Sequence, residues 1–245
     1  YAFTPIIILE NSYATPRSLG YTLFPVVFMS LFLYQLTGGY YLFLLSIVAG
    51  SVIFLSHRFT TQGFLFFSIF FSLIEGNPVY FYVFFLSFIT ALVISGGFYI
   101  EVLKGHLGNL IFWYKNIDYR FYHQVKGSYS DFKTKDFLFK MYSQFLKFPP
   151  FALSIASPWT LPVIFIFFFQ MPQDQIMQKL VLWVIFSYTL ALLTTWVPFL
   201  RFLGEAQRYL ELSVFPAAFL SVTLLNKYLN TNFSSLLIVL YTTFI

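Results

Sequence analysis

The chain has no cysteine and very little charge. Without cysteine, disulfide scaffolding, thiol catalysis and cysteine-ligated zinc are excluded. Only 9% of its 245 residues are Asp, Glu, Lys or Arg, roughly a third of the share in an average soluble domain. That is too little polar surface to cover a globule in water. The three histidines, His57, His106 and His123, lie far apart with no metal-ligand spacing. No Walker loop, G-x-G-x-x-G or G-x-S-x-G motif occurs. The expectation is therefore no metal and no cofactor. There is no arginine ladder at three-residue spacing, and carboxylates within the apolar runs are few, which argues against a voltage sensor or a proton-coupled pump. What is present is apolar: 59% of residues are hydrophobic, including 36 Phe, 18 Tyr and 4 Trp, and mean hydropathy is +0.77. Disorder is excluded by the same composition, and the class expected is a polytopic membrane protein.

A membrane span takes about 20 predominantly apolar residues, roughly 17–25. Such runs are predicted at 19–36, 39–56, 59–74, 79–98, 151–169, 180–200 and 210–225, with an eighth beginning near 233. Lipid leaves backbone groups no water to bond, so continuous runs of this length must be helices, not barrel strands. The predicted fold is an all-α transmembrane bundle of about eight spans, with helices at 1–98 and 151–245 flanking a polar, interfacial region at 99–150. That region holds eight basic residues against four acids. Two parts of it, 103–114 and 136–148, repeat apolar residues at three- and four-residue spacing, the pattern of amphipathic helices lying in the headgroup plane. A solvated connector is the plainer alternative. Pro158 and Pro162 are expected to break or kink the fifth span, and Ser95-Gly96-Gly97 to permit close helix approach. The chain opens at Tyr1 and stops at Ile245 inside apolar stretches, and reads as a piece of a longer protein.

Alternating the spans puts Arg17, Arg58, the 99–150 region, Arg201 and Arg208 on one face, twelve basic residues against Lys179 and Lys227 on the other. By the positive-inside rule the rich face is cytoplasmic. The modest basic excess beside lipid favours lipid headgroups over nucleic acid as partners. Two clusters on this face are candidate sites. On a continuous helix, Arg201, Glu205 and Arg208 fall within about 60° of one another. Guanidinium forks match phosphate oxygens; Glu205 would hold the two arginines or accept a hydroxyl proton. Near the third span, His57 could titrate, Arg58 bind phosphate and Gln62 reach a sugar hydroxyl. Arg17 is a third basic residue at a span boundary. The plain structural alternative for all three is interfacial ion pairing and anchoring, with snorkelling stems.

Several segments resemble bacterial polytopic glycosyltransferases of the GT-C class, which use polyprenyl-phosphate-linked sugars. Pro16-Arg17-Ser18-Leu19-Gly20 is similar to the Pro-Arg-x-Leu-Gly approach to a span in such proteins. Glu205, Arg208, Tyr209 and the downstream Pro216 resemble their late acid-x-x-Arg-Tyr segment, and His57-Arg58-Phe59 is similar to basic-aromatic boundaries in related membrane proteins. The resemblance implies an inner-membrane enzyme moving a sugar between a polyprenyl-phosphate carrier and a glycan or lipid acceptor. Arg58, Arg201 and Arg208 would bind the phosphate, with Glu205 and Tyr209 beside them. It also implies a catalytic acid in an N-terminal extracytoplasmic loop preceding this stretch, so no catalytic residue is nominated here. It puts Arg208 on the extracytoplasmic side, where the charge count puts it inside. The alternative function is a flippase or polymerase-like component that handles a lipid-linked glycan without bond chemistry.

Overall fold

The computed structural model describes residues 16–116, 149–169, 171–204 and 206–228. Among these there is no strand. Ten α-helices run in order: α1 Pro16–Thr37, α2 Tyr40–Ser56, α3 Arg58–Ile74, α4 Val79–Ile94, α5 Tyr99–Lys115, α6 Pro149–Ala156, α7 Thr160–Phe169, α8 Gln175–Trp196, α9 Ala206–Glu211 and α10 Val214–Tyr228, with a 3-10 segment Pro198–Leu203 between α8 and α9. The fold is all-α, as the apolar runs predict. Two stretches are long and apolar enough to cross a membrane, Pro16–Thr37 and Gln175–Thr195; the apolar helices α2, α3 and α4 are shorter, at 16 or 17 residues.

Helices α1 to α4 pack up-and-down through tight turns. Gly38, Gly76, Gly96 and Gly97 all have positive φ. At Gly96 and Gly97 an added Cβ would meet nothing within 4 Å. These two glycines therefore serve the turn that ends α4 at Ile94, and do not mediate the helix packing expected of them. His57 alone joins α2 to α3, in extended conformation at φ −149°, ψ 126°. The α1, α3 and α8 aromatics form the centre. Phe24, Phe28 and Phe32, four residues apart on one face of α1, are fully buried against Phe67 and Phe71 of α3 and Trp183 of α8. Ring centroids stand 5.1–5.3 Å apart in the Phe24–Phe67, Phe28–Trp183 and Phe32–Phe71 pairs, the tilted and edge-on geometry that ring quadrupoles favour. Trp183 also donates its indole N–H to the Leu212 carbonyl at 3.1 Å, tying α8 to the α9–α10 turn.

Outside this centre, α2 and α4 bury small residues beside Leu42, Ile53, Phe54, Tyr80 and Val83, and leave many large apolar side chains exposed. On α2 the residues turned inward include Ser46, Ala49, Gly50 and Ser51, while Leu44, Leu45, Val48 and Leu55 are exposed. On α4, Ser87 and Ala91 are buried and Phe81, Phe85, Leu86, Ile89 and Val93 are exposed. Small residues bring α2 and α4 close: a Cβ on Gly50 would run into Ser87 Oγ and lie 2.9 Å from Phe64. Replacing Gly50 with Val should therefore cost about 1–3 kcal/mol by overpacking. Replacing Gly105, where an added Cβ meets open space, with Ala should be neutral or stabilise α5 by about 0.5–1 kcal/mol. Thermal midpoints of the two variants in detergent check this; equal midpoints would remove the α2–α4 contact from the fold's determinants.

The broken helices depart from prediction in informative ways. The fifth predicted run is two helices, α6 and α7, separated at Ser157-Pro158-Trp159. Pro158 breaks it. Pro162 sits in the first turn of α7, where a missing N–H costs nothing. The sixth run begins earlier than predicted, at Gln175 with Asp174 capping the Met177 N–H at 2.9 Å. The seventh is divided between α9 and α10. The amphipathic pattern at 103–114 is helical, within α5. The 136–148 pattern and the eighth run lie outside the described residues.

Candidate functional site

The antiparallel order carries the N-terminus of α1, the His57 junction, the start of α3, the 3-10 segment and α9 to one end of the bundle. The positions of Arg17, His57, Arg58 and Arg208 follow from this. Arg17 Nη2 donates to both carboxylate oxygens of Glu211, at 2.9 and 3.0 Å. The Glu211 side chain is 1% exposed and that of Arg17 18%. The same guanidinium lies 5.6 Å from the centroid of the Tyr21 ring, and Tyr21 is 6.2 Å, ring to ring, from His57.

His57 is the focus of the charge. Burial, and then the positive charges of Arg17, Arg208, Arg58 and His106, hold its pKa down at about 4. The imidazole is thus neutral at physiological pH, and its Nδ1 is buried with no hydrogen-bond partner. Four separate elements deliver these groups: α1, α3, α5 and α9. At this end Arg17 holds both carboxylate oxygens of Glu211.

Gln62 and Tyr209 knit the same end together. Gln62 Nε2 donates to Tyr209 Oη at 3.0 Å and to the Leu203 carbonyl at 3.1 Å. Tyr209 is fully buried, its ring 4.7 Å from that of Phe59, and burial raises the pKa of its phenol. Gly204 makes this possible. Its φ of +134° turns the chain from the 3-10 segment into α9, and a Cβ there would stand 2.7 Å from Phe59. Gln62 and Tyr209 therefore brace this end, with Gln62 Nε2 and Tyr209 Oη engaged with each other and with the Leu203 carbonyl.

The structure brings together five of the predicted site residues: His57, Arg58, Gln62, Arg208 and Tyr209. The premise of one continuous helical face through Arg201, Glu205 and Arg208 does not hold. Arg201 lies in the 3-10 segment and Arg208 on α9, with the left-handed Gly204 between them. Glu205 lies outside the described residues. Two members of the site were absent from the predicted set. Arg17 stands in the sequence as a basic boundary residue and within the Pro16–Gly20 segment, with no binding role expected of it. Glu211, an acid heading an apolar run, carried a signal that was not followed: a carboxylate in such a place needs a cation. Among the described residues no group of three His, Asp or Glu side chains is arranged to hold a metal ion.

Chemically, the end offers guanidinium groups and a neutral imidazole around a partly buried position, with apolar helix faces beside it. This suits an oxyanion attached to an apolar body. No family model, curated protein or solved structure matches the chain.

Proposed function

We propose that this chain is part of a polytopic membrane protein that binds a polyprenyl-phosphate-linked sugar at its arginine-rich end, as a glycosyltransferase of GT-C type would. The observation that carries the reading is the convergence of Arg17, Arg58 and Arg208 on His57. Membrane placement is supported by the many exposed large apolar side chains of α2 and α4, since hydrocarbon, unlike water, imposes no cost on exposed Leu and Phe. It is supported also by helix ends. The short helices α3 and α4 begin and end at the same two levels as the long helix α1. Gln35 near the end of α1 meets Tyr80 of α4, which bonds Glu75 after α3, while His57 before α3 feels Arg17 at the start of α1. The helices are thus read as crossing one slab, with the short ones at the lower limit of span length. The setting expected is the bacterial inner membrane.

In this reading the prenyl tail lies along the exposed Phe- and Leu-rich helix faces, and the phosphate sits among the guanidiniums. Partition fixes the depth of the reacting bond: the tail cannot leave lipid and the charge cannot enter it. Breaking the sugar–phosphate bond leaves a polyprenyl phosphate, whose growing negative charge Arg58 and Arg208 stabilise. The acceptor hydroxyl needs a base to take its proton. Glu211, gripped by Arg17, is poorly suited to that role, and the resemblance puts the base outside this stretch. The same engagement of Glu211 favours a second reading, in which the protein moves a lipid-linked glycan without bond chemistry.

The test uses the full-length protein in nanodiscs. Polyprenyl phosphate should bind saturably and neutral polyprenol should not. Arg58→Ala and Arg208→Ala should each weaken binding by about tenfold or more, the loss of a charge-assisted contact. Unchanged affinity in both variants would sink the phosphate assignment. Transfer of labelled sugar from a polyprenyl-phosphate donor, reduced in Arg208→Ala, separates the enzyme from the carrier.

A further inference from the structure

The opposite end of the bundle is built around a different cluster. Lys179 of α8 donates to Glu75 Oε2 at 3.0 Å and to Gln35 Oε1. The Tyr80 hydroxyl lies 2.9 Å from both Glu75 oxygens. Gln35, Glu75 and Lys179 stand at the wall of a cavity of about 430 Å3, which Tyr34, Asn77 and Gln175 also line. That volume falls within the range of small-molecule sites, roughly 300–1,000 Å3.

The lining selects a ligand class by elimination. Its one anion and one cation are paired, so the wall is close to neutral. A ligand with net negative charge would face Glu75, and one with net positive charge Lys179. A purely apolar ligand would strand the Tyr34 hydroxyl and the Asn77 and Gln175 carboxamides at the wall. Three carboxamides and a phenol supply donors and acceptors side by side, which matches groups that donate and accept within one small volume. Hydroxyls on a sugar ring do so. The geometry points to a binding site for a neutral saccharide of one or two rings in this cavity, with the Asn77 and Gln175 carboxamides and the Tyr34 phenol meeting its ring hydroxyls. The inference rests on this end alone and not on the phosphate reading of the arginine end.

The full-length protein in nanodiscs, titrated with glucose, N-acetylglucosamine and maltose, tests it. The readouts are saturation-transfer NMR of the sugar protons and tryptophan emission, Trp183 being one turn along α8 from Lys179. At least one sugar should bind saturably at millimolar concentration. Tyr34→Phe, which keeps the ring on Phe43, should weaken that binding about tenfold, the cost of one hydrogen bond. Gln175→Ala, at the exposed first residue of α8, should weaken it measurably without moving the thermal midpoint. If Tyr34→Phe loses its fold, Gln175→Ala decides alone. No saturable binding of any of the three sugars, or parent-like binding by every folded variant, overturns the site. Neither outcome touches the arginine end, which is read with polyprenyl phosphate.

Discussion

Replacing Arg17 with alanine will destabilise the protein by about 3–5 kcal/mol, the cost of leaving a buried carboxylate without its partner. The expectation rests on an asymmetry of exposure. Glu211 is 1% exposed and receives both hydrogen bonds from one guanidinium nitrogen. Water cannot replace that donor without opening α9, and α9 is held by the Tyr209–Gln62 bond and by Trp183 on the Leu212 carbonyl. A paired replacement, Arg17→Met with Glu211→Leu, removes the charge and its need together, and should recover most of the loss, because apolar substitutes for a buried pair are often neutral or better. Thermal unfolding in detergent, followed by tryptophan emission, separates these outcomes. If the single variant matches the parent, the ion pair does not hold α1 to α9. The single variant also removes one of the charges around His57, so the imidazole pKa should move up from about 4, visible in the NMR titration of the ring.

Much of this end could be anticipated from local sequence, and some of it could not. The helices α1 to α4 were legible because their apolar runs are long and their interruptions unmistakable: Gly38-Gly39, His57, and Glu75-Gly76-Asn77-Pro78. Arg58 and His57 were legible because they are polar side chains at an interruption between two apolar runs. The late segment was not, because helical projection assumes one unbroken helix. Nothing in the local pattern distinguishes Gly204 at φ +134° from a helical glycine. The same blindness applies to Pro158 and Pro162, where the difference lies in which one falls in a first turn. Long-range pairs carry the least local signal. Arg17 and Glu211 are 194 positions apart and Glu75 and Lys179 104 apart. Only the unmet needs of each charge, taken one at a time, hint that a partner must exist.

Lys179→Met should cost less than Arg17→Ala, about 2–3 kcal/mol, although both break a part-buried pair. Glu75 is 19% exposed and keeps the Tyr80 hydroxyl at 2.9 Å after Lys179 is gone, whereas Glu211 loses both of its bonds from Arg17. Combined with Glu75→Gln, Lys179→Met should show a coupling of about 1–3 kcal/mol, as contacting residues do. Combining Lys179→Met with Arg17→Ala is more telling. The two pairs join α1 and its neighbours to the C-terminal helices at opposite ends of the bundle, about 27 Å apart along α1, with no shared partner. In a bundle that holds one arrangement, their costs should add to within about 0.5 kcal/mol. A carrier that opens first at one end and then at the other works differently: loosening one clamp shifts the population in which the second is closed, and the costs no longer add. The thermal midpoints of these four proteins therefore bear on function as well as stability. Additivity is what a fixed phosphate platform for sugar transfer requires, and a clear departure from it favours movement of the glycolipid across the membrane.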